Sequence, residues 1–179
     1  MSTRALHNTR QLIVRRLSAS TTNGVLEYGP YRMRCALGRG GISAMKREGD
    51  GATPRAAMRL LSVYYNPSRG LRPSTALDVR AIRSNDGWCD DPKDRNYNRA
   101  VRHPYAASAE HLWRADAVYD LIVVLDYNIR PRRRGAGSAI FMHVARPGYQ
   151  PTEGCIALQP ADLLKLLRIA RRGTRVVAF

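Results

Sequence analysis

Residues Tyr31 to Leu37, YRMRCAL, place Tyr31, Met33, Cys35 and Leu37 on one face of an extended chain and Arg32 and Arg34 on the other. A period of two marks a half-buried antiparallel strand. Short runs of strand type recur along the chain as QLIVRRL, GVLEYG, AMRLLSVYY, LDVRAI, YDLIVVLDY, SAIFMHV and the terminal VVAF, separated by Gly, Pro and Asn. A chain punctuated in this way pairs short strands rather than bundling helices. With 179 residues, 44% of them hydrophobic, it can bury one sizeable core. Helical spacing is convincing once. After Pro160, the residues Leu163, Leu166, Leu167 and Ala170 share a face, Arg168, Arg171 and Arg172 favour the C-terminal end, and Gly173 can stop the helix. SAEHLWRAD, with Ser108 as cap, is a second and shorter candidate helix. The expected fold is mainly β, one domain over residues 1–179 with a C-terminal helix packed on it; disorder is expected in about the first ten residues.

Charge limits the partners. Thirty Lys and Arg against 14 Asp and Glu give a net charge of +16, which favours anionic partners without defining a fold. Nucleic acid is the natural alternative for such a chain. Aromatics, however, are only 7%, and no basic stripe carries the interleaved aromatic residues of a stacking platform. RPRRR, from Arg130 to Arg134, reads as a basic hairpin tip, open to solvent or to an acidic polymer. No stretch reaches the roughly 18 apolar residues of a membrane span, so none is expected. The N-terminal run Leu12–Val14 ends at Arg15 and is too short for a secretory signal. The chain as it stands therefore reads as cytoplasmic, and as periplasmic if a leader has been removed or another export route serves it.

Three cysteines, Cys35, Cys89 and Cys155, show no repeated spacing and form no disulfide framework. Cys89 could pair with Cys35 only in an oxidising compartment. No CxxC, HExxH or zinc-knuckle pattern is present, so neither a metal nor another cofactor is expected. GRGG with Lys46 lacks phosphate-loop spacing and reads as a turn. EGDGATP reads as an ordered loop in which Asp50 bonds its own backbone.

The chemistry concentrates between Met142 and Leu158, MHVARPGYQPTEGCIAL. SAIFMHV delivers His143 near a strand end, ARPGYQP is a loop, and TEGCIAL returns the chain with Cys155 beside Gly154. Two readings stand at this point: a buried cysteine and a turn histidine, or a nucleophile with its base. The second is chemically complete. An imidazole takes the thiol proton, the thiolate attacks a carbonyl, and the amide of Cys155 with a neighbouring N–H can hold an oxyanion. WCDDPKDRNYN also has two readings. It is either a turn network of Asx residues or a wall of the substrate cleft, with Trp88, Asp90 and Asp91 in contact and carboxylates free to meet an amine.

GSAIFMHVA…PTEGCIAL resembles the catalytic segment of the YkuD-type L,D-transpeptidases, and CALGRGG…KREGDGATP is similar to that family's upstream entry motif. The likeness runs over about residues 24–167 and suggests a divergent branch of short proteobacterial members. It implies a mostly β sandwich or barrel with a helix on it and no cofactor. It implies Cys155 as nucleophile and His143 as base, with the Val144 carbonyl orienting the imidazole. Gly154 and Cys155 supply the oxyanion amides. The implied substrate is the meso-diaminopimelate–D-alanine bond of peptidoglycan stem tetrapeptides, attacked through a thioester that passes to an amine or to water. A strictly hydrolytic L,D-carboxypeptidase, trimming muropeptides to tripeptides in recycling, is the alternative within this class; a basic nucleic-acid-binding module is the alternative outside it. Departures from the family pattern affect the substrate contacts. Glu153 stands where a second His is usual, Ala157 stands where an Arg is usual, and the His–Cys loop is short. Glu153 then either binds a substrate ammonium or caps the turn, and Tyr149 joins the candidate substrate contacts.

Overall fold

The structure is a computed structural model and describes residues 11–179. The expectation for the first ten residues lies outside the described part. Fourteen strands and one α-helix follow in the order β1 (Gln11–Arg16), β2 (Asn23–Tyr28), β3 (Tyr31–Ala36), β4 (Ile42–Ser43), β5 (Thr53–Pro54), β6 (Ala57–Tyr65), β7 (Asp78–Ala81), β8 (Asp86–Cys89), β9 (Arg99–Arg102), β10 (Ala109–His111), β11 (Leu121–Leu125), β12 (Phe141–Val144), β13 (Ile156–Leu158), α1 (Pro160–Ile169) and β14 (Arg175–Ala178). The main sheet runs β11-β12-β13-β3-β2-β1-β14-β6-β7, and a further pairing of β11 with β6 closes it into a barrel that leaves β7 on the outside. Closure removes most of the free edges that an open sheet would expose.

The alternation read in β3 is present: Met33 and Cys35 are buried while Arg32 and Arg34 are exposed. β11 behaves differently. All five residues of LIVVL are buried because both faces of this strand are covered. Leu121, Val123 and Leu125 face the larger core with Met142 and Val144 of β12. Ile122 and Val124 face a second core with Phe141, Trp88, Leu112, Tyr119 and Cys155. That second core lies beneath a separate three-stranded sheet, β10-β8-β9. The candidate chemistry sits there, on the outer face of the barrel.

Helix α1 begins with Pro160 in its first turn and buries Leu163, Leu166 and Leu167. It ends at Ile169, ahead of Gly173. Ala170 is already extended, and the Arg171 guanidinium donates to the carbonyls of Arg168, Ile169 and Ala170. Gly173, at φ 85°, instead serves the turn into β14. No helix of the described residues is long and apolar enough to cross a membrane.

One local expectation is corrected. SAEHLWRAD is not a helix: Ala109–His111 form β10, antiparallel to β8, and only a single 3-10 turn follows at Ala117–Tyr119. Ala109, Leu112 and Trp113 stand at helical spacing over a single turn, too short to hold a helix by itself, and pairing with β8 satisfies the backbone instead. WCDDPKDRNYN carries the turn network of Asx residues, one of its two readings. It is the β8–β9 hairpin, with an Asx-bonded turn in which Asp91 and Asp94 accept from the amides of Lys93 and Asn96.

Candidate active site

β12 and β13 run parallel, with Met142 opposite Ile156 and His143 opposite Ala157. The loop between them carries a 3-10 turn at Pro147–Tyr149 and returns the chain beside its own start. Cys155 precedes β13, and its sulfur accepts from the Phe141 amide at 3.4 Å. The Cys155 thiol donates to the Ala139 carbonyl at 3.2 Å. His143 projects from the same face of β12 as Phe141, and both His143 and Cys155 line one cavity of about 350 Å³.

The imidazole is fixed on two sides. Its Nδ1 lies 2.9 Å from the Val144 carbonyl oxygen. A carbonyl only accepts, so Nδ1 carries the hydrogen and Nε2 keeps the free lone pair of a base. The Tyr119 ring meets His143 edge to face at 5.5 Å, and its hydroxyl donates to Glu110 at 2.6 Å. Burial pushes the His143 pKa down to about 4, against the opposing effect of the Val144 bond. Burial likewise pushes the Cys155 thiol up to about 12, and the negative charge of Glu110 adds to this. At neutral pH the cavity therefore holds a neutral thiol and a neutral imidazole.

The turn that carries Cys155 is bound to its surroundings by Thr152. The Thr152 hydroxyl donates to the Cys155 carbonyl at 2.7 Å and accepts from the Gly154 amide at 3.2 Å. The Thr152 amide donates to Leu37, and its carbonyl accepts from Arg39. Gly154 is required twice over. Its φ is 129°, and a Cβ there would lie 2.8 Å from the Ala52 carbonyl oxygen. The close neighbour is thus the EGDGATP loop. In that loop Asp50 accepts from Lys46, from the Arg47 amide at 2.7 Å and from the Ala52 amide at 2.9 Å. Burial works against Asp50 ionisation, but these hydrogen bonds prevail and lower its pKa.

The other candidates separate. Asp90 and Glu153 line the cavity; Trp88, Asp91 and Tyr149 do not. Trp88 is a core residue, packed edge to face on Phe141 at 5.1 Å with its Nε1 donating to Asn98 at 2.9 Å. Asp91 belongs to its turn, and Tyr149 lies under the Arg34 guanidinium at 4.5 Å. Glu153 is on the rim, where Arg39 Nε donates to both of its oxygens at 3.0 and 2.8 Å. Glu110, Tyr119, Arg114, Lys46, Ser138 and Thr152 also line the cavity; Lys46, Ser138 and Thr152 lie inside the quoted motif segments, and no motif marks Glu110, Arg114 or Tyr119. Among the described residues, no group of three or more His, Cys, Asp or Glu side chains is placed to hold a metal ion. All three cysteines are free thiols; Cys35 lies in the barrel core and Cys89 on β8.

Residues 11–177 match the family model for YkuD, the L,D-transpeptidase catalytic domain. No curated protein matches the chain. Among solved structures, an L,D-transpeptidase from Mycobacterium smegmatis aligns at 10% identity with a TM-score of 0.43, over 94% of this chain and 58% of that one. Mycobacterium tuberculosis L,D-transpeptidase 1 aligns at 11% identity with a TM-score of 0.39, over 94% of this chain and 61% of that one. The chain thus spans about three-fifths of the length of each of these proteins.

Proposed function

The chain belongs to the YkuD family of L,D-transpeptidase catalytic domains, and from that premise we propose that it is a cysteine acyltransferase acting on peptidoglycan stem peptides. The observation that carries this reading is the shared cavity of Cys155 and His143, with Nδ1–H of the imidazole committed to Val144. Cys155 attacks the carbonyl of the meso-diaminopimelate–D-alanine bond as its proton passes to His143 Nε2. The amides of Cys155 and Gly154 hold the resulting oxyanion, the second of them after release from the Thr152 hydroxyl. Collapse breaks the C–N bond, and His143 returns the proton to the departing D-alanine amine. The thioester then passes to an amine or to water, whose proton goes to His143 and then back to the Cys155 sulfur. Every proton transfer uses groups of this chain.

Incubation with tetrapeptide muropeptide, with and without a free D-amino acid, followed by mass measurement, tests the reading. The expected result is a covalent adduct on Cys155 and loss of D-alanine. Exchange of D-alanine for the added amino acid identifies an amine acceptor, and tripeptide alone identifies a hydrolytic L,D-carboxypeptidase. An adduct confined to Cys35 or Cys89, or full activity of Cys155→Ser, overturns the assignment.

A further inference from the structure

The cavity has an imbalance that its surroundings do not share. In a protein of net charge +16, its cationic side chains are already paired. Lys46 is bound to Asp50, Arg114 to Asp116 at 2.7 Å, and Arg146 to Asp116 at 3.5 Å. Its carboxylates are not. Among the described residues, Glu48, Asp90 and Glu110 have no cationic partner within ion-pair distance: Glu48 accepts from the Tyr97 hydroxyl and Glu110 from the Tyr119 hydroxyl. Glu153, on the rim, has Arg39.

Asp90 and Glu110 also share a wall. Glu110 on β10 lies opposite Trp88 on β8, and Asp90 follows β8 with the same pleat parity, so the two carboxylates project to one face as diagonal neighbours. Like charges so placed on adjacent strands repel unless something intervenes. Two buried polar atoms on this cavity wall, moreover, accept no hydrogen bond. One is Asp90 Oδ1, and the other is the hydroxyl of Ser138, a residue only 7% exposed. The Ser138 hydroxyl can donate to the Tyr97 oxygen, which itself donates to Glu48 and accepts from the Gly137 amide, and the lone pairs of Ser138 then remain free to accept. Buried polar atoms are ordinarily satisfied, and an orphaned one on a cavity wall calls for a ligand group.

We propose that Asp90, Glu110 and Ser138 form a subsite for a primary ammonium group of the substrate, the side-chain ammonium of its diamino acid. An ammonium offers three donors and no acceptor, which fits two carboxylates and one hydroxyl. It also cancels the repulsion across the β8–β10 pair. The inference rests on the reading of the cavity as a stem-peptide site, and it assigns the recognition of charge to the small sheet rather than to Glu153. It selects stem peptides whose side-chain amine is free over those in which it is acylated in a cross-link.

Calorimetric binding to the Cys155→Ala protein tests the subsite without turnover. The probes are the tetrapeptide and its counterpart in which 2-aminopimelate replaces diaminopimelate, deleting only the ammonium. The tetrapeptide is expected to bind at least about tenfold tighter, the range for a hydrogen bond to a charged group. Glu110→Gln and Asp90→Asn are each expected to erase about tenfold of that preference and to leave the counterpart unaffected. Equal binding of the two peptides, or an equal loss on both in folded variants, overturns the proposal. A preserved ammonium preference without any adduct on Cys155 in the unmodified protein supports the subsite and overturns acyl transfer instead.

Discussion

Ala139 adopts a φ of 51°, in the left-handed region that a residue with a Cβ rarely enters. This conformation aims its carbonyl at the Cys155 thiol. Asn98, itself at φ 55° and 2% exposed, holds the segment. Its Oδ1 accepts from the Ala139 amide at 3.1 Å and from Trp88 Nε1 at 2.9 Å, while its Nδ2 donates to the carbonyls of Tyr127 and Asn128 at 3.1 and 2.9 Å. The full capacity of one amide side chain is used. Asn98→Ala is expected to lower the unfolding free energy by about 2–4 kcal/mol, because buried donors and acceptors lose their partner. It should also change the alkylation rate of Cys155 under conditions where the variant is folded. Ala139→Gly should preserve that rate, since glycine enters the left-handed region freely; an unchanged rate in Asn98→Ala would separate the hub from the thiol. The proposed catalytic pair, Cys155 and His143, makes its own prediction at this scale. With the His143 pKa near 4, the base is available well below neutrality. The acid limb of kcat/KM is therefore expected near pH 4 rather than near 6.5, and His143→Ala should cost about 10²–10⁴-fold in rate. An acid limb near 6.5 would mean that the imidazole is solvated in the working enzyme.

Helix α1 follows β13 directly and packs Leu163, Leu166 and Leu167 into the larger core, where Val144 and Leu158 also lie. Leu166 is fully buried, so Leu166→Ala is expected to destabilise by about 2–5 kcal/mol, measured by urea unfolding. A loss below about 1 kcal/mol would show that the helix is only loosely docked. This helix was legible in the sequence because Pro160, the leucine spacing and the basic end agree. The barrel strands were legible for a similar reason: alternation in YRMRCAL and continuous burial in LIVVL are local patterns with one structural meaning each. The β8–β10 sheet was not. Asp86–Cys89 and Ala109–His111 are too short to show a period, and only their mutual pairing defines them. The site divides in the same way. Cys155, His143 and Gly154 stand in a recognisable segment. Glu110 and Tyr119 reach the cavity through long-range pairing, which no local pattern encodes. Ser108 as a cap misdirected the reading of Glu110, because a capping residue is equally at home before a short edge strand.

At the scale of the whole molecule, the cost of keeping His143 neutral appears as acid sensitivity. The imidazole has an ordinary pKa of about 6.5 in the unfolded chain and one of about 4 in the fold. Between these values the unfolded state binds more protons than the folded state, so stability rises with pH through this window. The contribution is complete above about pH 6.5 and is lost as the pH falls toward 4. For a fully buried group the difference amounts to about 3 kcal/mol. The Asp116 carboxyl, held down to about 2 by its bond to Arg114, has the same sign but acts lower, between its ordinary 3.8 and 2. The protein also becomes more positive on acidification, and self-repulsion adds to the loss. A non-titrating replacement separates the two effects, because His143→Gln removes the imidazole window and leaves the other charges of the chain in place. Urea unfolding at pH 7 and pH 4.5 is expected to show a loss in the unmodified protein that exceeds the loss in His143→Gln by about 2–3 kcal/mol. Equal losses in the two proteins would place the acid sensitivity in the surface charges and leave His143 solvated.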